Sequence, residues 1–395
     1  MKFVARLFTV LLGLYSLQAF ADIDVTYDEE SESVSDTLLL SGSRPQFDLS
    51  EMGSYKLSVI ATGLVGHQTN PMQGNSPTIA DLSNGQLLIE KQSGPIQLFA
   101  LIGAYSMPEL GVPYTQAGPN TKNTWGYVPN AWIKLPVNHE LSVSIGKLSA
   151  IGGIEGTYTY QNINIQRGLL WHQTSSVTRG IQADYENDRV SATVAFTDGS
   201  YSNTYNWLGA QVNLKINPSN EIGASWNGSL SANGLENNAT PLLQNNSQIS
   251  TLSYTYKSSH LTASSYLQYT NVPQRPAIGI MESSNTKGIG LLTTYRLFPL
   301  DSQGKPPKKN VSFPLRLEYI ASSGNSYTSE NNLLYGPNSS AWSLTFTPTY
   351  QDGMYFARAE ASYVQALNAT PGTTFGASGT SNSQFRFLLE GGVLF

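Results

Sequence analysis

The 395-residue chain has no cysteine, only 12% charged residues and four histidines. Each shortage excludes something. Without cysteine there is neither a disulfide scaffold nor thiol chemistry. A soluble globular domain carries about 25% charged residues, roughly twice the fraction found here. Disorder is an equally poor fit, because 22 Tyr, 14 Phe and 6 Trp supply more aromatic surface than a solvated chain tolerates. Beyond the first 21 residues no window approaches the roughly 20 consecutive apolar residues of a membrane-crossing helix. No Gly-rich phosphate loop lies between a strand and a helix, and no basic patch offers a footing for nucleic acid.

What is present begins with an N-terminal segment unlike the rest. Lys2 and Arg6 precede an apolar stretch from Leu7 to Leu17, and Ala19-Phe20-Ala21 forms a small-x-small site before Asp22. This is the pattern of a cleaved secretory signal over residues 1–21, too short to serve as an anchor helix. Removing Lys2 and Arg6 leaves 20 basic against 27 acidic residues, and seven of those acids (Asp22, Asp24, Asp28, Glu29, Glu30, Glu32, Asp36) crowd into residues 22–36 with no base among them. Residues 22–50 therefore read as an acidic, solvated periplasmic arm, either a plain spacer or a segment that folds into or under a pore.

From residue 51 to 395 the chain repeats about ten residues of alternation followed by a turn. Tyr55, Leu57, Val59, Ala61 and Val65 oppose Lys56, Ser58 and Thr62, a period of two rather than 3.6. Sixteen such runs are expected, at about 54–66, 85–92, 96–106, 129–135, 140–148, 176–186, 189–199, 206–216, 220–229, 248–257, 260–271, 287–297, 310–322, 341–350, 354–366 and 384–395. Tight turns such as Ser93-Gly94-Pro95, Asn187-Asp188 and Gln351-Asp352-Gly353 alternate with long polar links at 107–128, 149–175, 230–247, 323–340 and 367–383. Short inner turns, long outer loops and an even strand number are the asymmetry of an outer-membrane barrel, with both mature termini periplasmic. The fold class expected is thus all-β, a transmembrane antiparallel β-barrel.

A soluble sandwich would give its charges to water on the outside. Here they fall on the polar face: Arg316 and Glu318 against Leu315, Leu317 and Tyr319, Arg358 and Glu360 against three alanines, and Arg386 and Glu390 against Phe385, Phe387 and Leu389. A bilayer requires this, since Arg or Lys at its midplane costs about 2–4 kcal/mol. By the same alternation Thr193, Asn213 and Thr345 lie on the polar face, where arginine is expected to be tolerated. Tyrosines at strand ends, among them Tyr185, Tyr256, Tyr269, Tyr295 and Tyr319, suit interfacial girdles.

The chain closes with Gly-Gly-Val-Leu-Phe, and Phe395 with Phe385, Phe387 and Leu389 resembles the terminal aromatic strand that barrel assembly machinery reads. Tyr158, Tyr160, Gln161 to Ile165, Arg167 to Trp171 and Arg179 to Gln182 resemble the central block of the beta-barrel porin-2 (OmpL-like) family of Gram-negative bacteria. So do Ala131-Trp132-Ile133-Lys134 and Ser144 to Leu148 just before it. The resemblance implies an outer-membrane barrel and diffusion channel and supplies no catalytic residues.

Function follows from that architecture. A sixteen-strand barrel encloses a water-filled lumen through which small hydrophilic solutes and ions pass by passive diffusion. The candidate pore lining is Lys56, Lys134, Lys215, Arg316, Glu318, Arg358, Glu360, Arg386 and Glu390. The alternative for the last six is a structural ladder of wall pairs. The link 149–175 is the candidate to fold inward as a constriction, as the third loop does in general porins, carrying Glu155 and Arg167. No metal or cofactor is expected, because His67, His139, His172 and His260 show no ligand spacing. An outer-membrane hydrolase would have to use His172 with Thr174, Ser175 or Ser176, and a barrel closed by its loops, with a structural or adhesive role, is the other rival. Implied partners are outer-membrane lipid and lipopolysaccharide, the assembly machinery and small solutes, with a homotrimer open to it.

Overall fold

Sixteen antiparallel strands close on themselves in a computed structural model of the chain, which describes residues 38–40, 45–49, 53–301, 304, 306–324 and 333–395. The expected signal segment and the acidic run 22–36 lie outside the described residues. In chain order the strands are β1 (Ser54–Gln68), β2 (Thr78–Lys91), β3 (Gln97–Tyr105), β4 (Asn130–Pro136), β5 (Leu141–Ser149), β6 (Val177–Glu186), β7 (Val190–Thr197) and β8 (Trp207–Asn217). They continue with β9 (Asn220–Ser229), β10 (Gln248–Lys257), β11 (Leu261–Val272), β12 (Ser284–Arg296), β13 (Lys309–Ser322), β14 (Ser340–Phe346 and Thr349–Asp352), β15 (Tyr355–Leu367) and β16 (Ser383–Leu394). Every strand pairs with its neighbours in sequence, and β16 pairs with β1 from Arg386↔Gln68 to Leu394↔Ile60. Closure leaves no strand edge in the ring, which is what a hydrocarbon surround demands of backbone N–H and C=O groups. Phe395 completes the seam, exchanging backbone hydrogen bonds with Val59 at 2.7 and 2.9 Å.

The short turns are built by asparagine. Asn138, Asn187 and Asn217 each turn their side-chain oxygen back to accept backbone N–H groups two or three residues on, closing Asx turns at the expected positions. All three lie on the side that carries the chain's entry into β1, the side expected from the short turns to be periplasmic. β14 is interrupted at Thr347-Pro348, because proline has no N–H for the ladder. Gly103 and Gly146 take φ of +146°, and a Cβ at either would strike the neighbouring strand's backbone. They let β3 approach β2 and β5 approach β4 closely.

Alternation separates the two faces as expected. Val59, Val65, Ile133, Val194 (53% exposed), Val212, Leu317 and Phe387 point outward, while their neighbours along each strand are half or fully buried inside. Among the described residues no helix is long and apolar enough to cross a membrane. The described end of the arm enters the barrel mouth: Leu38 is buried with Ile60, Leu88, Phe356 and Leu394. The backbone of Leu39 is held at both ends by the Gln351 amide, at 3.0 and 2.7 Å. Residues 46–48 pair outside the ring with the start of β1.

Candidate functional site

The loop between β5 and β6, residues 150–176, turns into the lumen, packs most densely against β13–β16 and also touches β2, β4, β9, β10 and β11. Ile163, Ile165, Leu169 and Leu170 are its buried aliphatic side chains, with Tyr158 and Trp171 buried beside them. Ile165 meets Leu64, Ile79 and Leu388, and the leucines meet Tyr266, Leu292, Ile320 and Val364. The inner wall there is therefore apolar in part, which alternation in β1, β13 and β16 alone would not require. Each fully buried isoleucine or leucine contributes about 1.5–3 kcal/mol.

An irregular segment in the interior carries backbone groups with no ladder to join, and these must be satisfied. The wall charges do this. Glu360 accepts the N–H groups of Ile165 (2.5 Å) and Gln166 (3.2 Å). Glu318 accepts those of Leu169 (3.0 Å) and Leu170 (3.2 Å), and Glu155 within the loop accepts that of Gly168 (2.9 Å). Arginines take the carbonyl side: Arg316 donates to Gln166 O (2.7 Å), Arg358 to Asn162 O (2.9 Å) and Thr159 O (2.8 Å), and Arg167 to Thr157 O (2.6 Å). Arg386 binds the preceding outer loop, donating to Glu109 O and Val112 O. Asn164 donates to Thr347 (2.7 Å), the inward residue at the break in β14, which in turn donates to Glu360 (2.9 Å).

All nine expected wall charges lie on the inward register, but they divide into two groups. Arg316, Glu318, Arg358, Glu360, Arg386 and Glu390 are buried behind the loop. Arg358 pairs across strands with Glu390 (2.6 Å), and Arg316 pairs with Glu318 (3.4 Å) and with Glu155. The simple ladder of 358 with 360 and 386 with 390 is not what binds them, because cross-strand register sets Arg358 opposite Glu390. Lys56 and Lys215 instead sit in the periplasmic vestibule, partly or fully exposed, and Lys134 is buried there with its ammonium 5.0 Å from the Trp132 ring centre. Glu155 and Arg167 are inside the loop, both buried. Burial pushes the Glu155 carboxyl up to about 7, against the pull of Arg316, and lowers Arg167 to about 10.

Residues that charge-based reading passed over hold much of the geometry. Tyr158 donates to Asn130 at the top of β4, and Thr159 donates to Glu390 (2.6 Å). Phe99 and Trp132 stack at 5.2 Å, half-exposed on the inward faces of β3 and β4. The signal for the loop residues was the Asn-Ile-Asn-Ile alternation itself, strand-like in a segment too long to be a turn.

At the outer rim His172 Nδ1 lies 2.8 Å from a Glu109 carboxylate oxygen, tying this loop to the one before it. Burial alone would lower the imidazole pKa, but the hydrogen bond to Glu109 and its charge outweigh burial and raise it. A raised pKa gives stability that is complete below the unfolded value of about 6.5 and lost as pH rises through the folded one. We expect the outer loops to become more protease-sensitive as pH rises from 6 to 8, and His172→Ala to flatten that dependence. The ring is 40% exposed, so the change is small.

The family described as "Putative beta-barrel porin-2, OmpL-like" matches residues 55–395. No curated protein sequence matches the chain. Among solved structures, an anion-selective porin from Comamonas acidovorans superposes with a TM-score of 0.57 at 10% identity, over 85% of this chain and 98% of the porin. The outer-membrane channel DcaP of Acinetobacter baumannii gives 0.53 at 10% identity over 87% and 98%. OmpT of Vibrio cholerae gives 0.51 at 10% identity over 86% and 97%. These likenesses are of fold, and with a match that runs from the first strand to the final phenylalanine the chain belongs to the beta-barrel porin-2, OmpL-like, family of outer-membrane barrels.

Proposed function

We propose that the protein is a narrow diffusion channel for small hydrophilic solutes. The observation that carries this is the uneven packing of the inner loop, densest against β13–β16. On β13–β16 the inward residues behind it are sealed, as with Glu360 at 0% exposure, whereas across the lumen Gln182, Thr193, Gln211, Asn213 and Ser225 on β6–β9 stay half-exposed. A polar wall left accessible beside a fixed loop suits a water-filled passage. A non-catalytic role is supported at two of the three candidate nucleophiles, since the Thr174 and Ser175 hydroxyls donate to the Trp171 and Gly199 carbonyls while His172 faces Glu109. The rival closed barrel has support in the loop's contacts with strands far apart on the ring, such as Asn227 on β9 and Thr251 on β10 as well as Glu360 on β15. Reconstitution into planar bilayers separates the two. Discrete ohmic steps from heat-modifiable, folded protein are expected; folded protein that leaves the bilayer insulating would establish the closed barrel.

A further inference from the structure

We infer that the passage takes neutral, polyhydroxylated solutes such as sugars, and that the stacked Phe99–Trp132 pair is their contact surface. This rests on the channel reading above. The argument starts from where charge is left. At mid-height the charged groups Glu155, Arg316, Glu318, Arg358, Glu360 and Glu390 are all buried and bonded to the loop or to each other. Of the inward strand charges that keep exposure, Lys56, Asp184, Glu186, Lys215, Glu221 and Lys257 lie within two residues of the periplasmic end of their strand, while Asp81, near the outer end of β2, is held by the Tyr114 hydroxyl and the Ala117 N–H. The vestibule is therefore charged with mixed signs and the accessible wall above it presents mostly neutral groups, and Phe99, two residues from the periplasmic end of β3, and Trp132 opposite it sit where the two meet.

Those groups have a particular chemistry. The loop's half-exposed side chains include Tyr160 and Gln161, and the wall offers Phe99, Trp132, Gln182 and Gln211. Aromatic rings set among carboxamides match a solute with an apolar C–H face and a hydroxylated edge: the rings take the face and the amides exchange hydrogen bonds with the edge. A bare ion gains little there, because no exposed opposite charge replaces its hydration. A second observation points the same way. Gln97, two residues before Phe99 and directly opposite Lys134, is buried with its amide nitrogen lacking a hydrogen-bond partner among the described residues. A buried donor without an acceptor costs about 1–3 kcal/mol, and a solute hydroxyl at the aromatic pair would supply the acceptor once the Gln97 amide, closed to solvent as it stands, turns out to meet it.

The test is block of single-channel ion current by sucrose, with benzoate as the rival probe and heat-modifiability as the check on folding. The expected results are block by sucrose that rises with concentration, a half-blocking concentration about fivefold higher in Trp132→Ala or Phe99→Ala, and recovery of block in Trp132→Tyr. Absence of any ion current would remove the channel reading and this inference with it. Current that sucrose does not block, block that survives loss of both rings, or block by benzoate alone would overturn the inference and leave the channel standing.

Discussion

Removing both wall carboxylates that hold the inner loop, Glu318→Ala with Glu360→Ala, should convert a quiet narrow channel into one that flickers to a wider, higher-conductance state. The two groups accept four buried backbone N–H groups, from Ile165, Gln166, Leu169 and Leu170. Each N–H left unsatisfied costs about 1–3 kcal/mol, and the buried Arg316 loses a partner as well. Against this stand four buried apolar side chains, together about 6–12 kcal/mol. The two terms are comparable, so the loop should exchange between docked and released states. Glu360→Ala alone should leave it docked. Glu318→Gln with Glu360→Gln should fall between the parent and the double alanine variant, because each amide keeps one acceptor oxygen where the carboxylate used two. Gly168→Ala should act like the double alanine variant, because a Cβ there would lie 2.1 Å from a Glu318 carboxylate oxygen. Single-channel recordings on protein that remains heat-modifiable would measure all four, and an unchanged conductance in the double alanine variant would show that apolar packing alone holds the loop.

The second large effect concerns assembly. Val194→Arg or Phe387→Arg places a guanidinium on an outward face, at about 2–4 kcal/mol for a midplane position. We expect strong loss of folded, heat-modifiable barrel in the outer membrane. Thr193→Arg and Asn213→Arg, half-exposed on the lumen side, should assemble normally. Thr345→Arg should fail although it too faces inward. Thr345 is 0% exposed and accepts a hydrogen bond from Arg316 (3.3 Å), so a second arginine would be buried against the first. Quantitative outer-membrane fractionation of the five variants distinguishes a facing error from a packing error.

The behaviour of Thr345 marks the boundary of what local pattern can say. Alternation with period two is a property of each strand by itself, because successive side chains must point to opposite faces. Strand number, facing and the turn asparagines were therefore legible residue by residue, whereas Phe395, read as an assembly signal, showed its backbone pairing with Val59 only in the fold. So was the inward address of Arg316, Glu318, Arg358, Glu360, Arg386 and Glu390, since lipid excludes charge from the other face.

What these six charges do was not legible. Facing the lumen and lining an open pore are the same statement in one strand, and they become different only when residues 150–176 arrive from over a hundred positions away to cover them. The partners of Glu318 and Glu360 are backbone N–H groups, which every non-proline residue possesses and no sequence pattern marks. Pairing of Arg358 with Glu390 likewise depends on the register of β15 against β16. The sequence by itself determined a closed sixteen-strand wall with its charges turned inward, because hydrophobic facing is decided locally. Only the tertiary structure decided that most of those charges hold a loop in place and leave a neutral passage beside it, because hydrogen-bond satisfaction in a buried interior is settled by whichever segment comes to fill it.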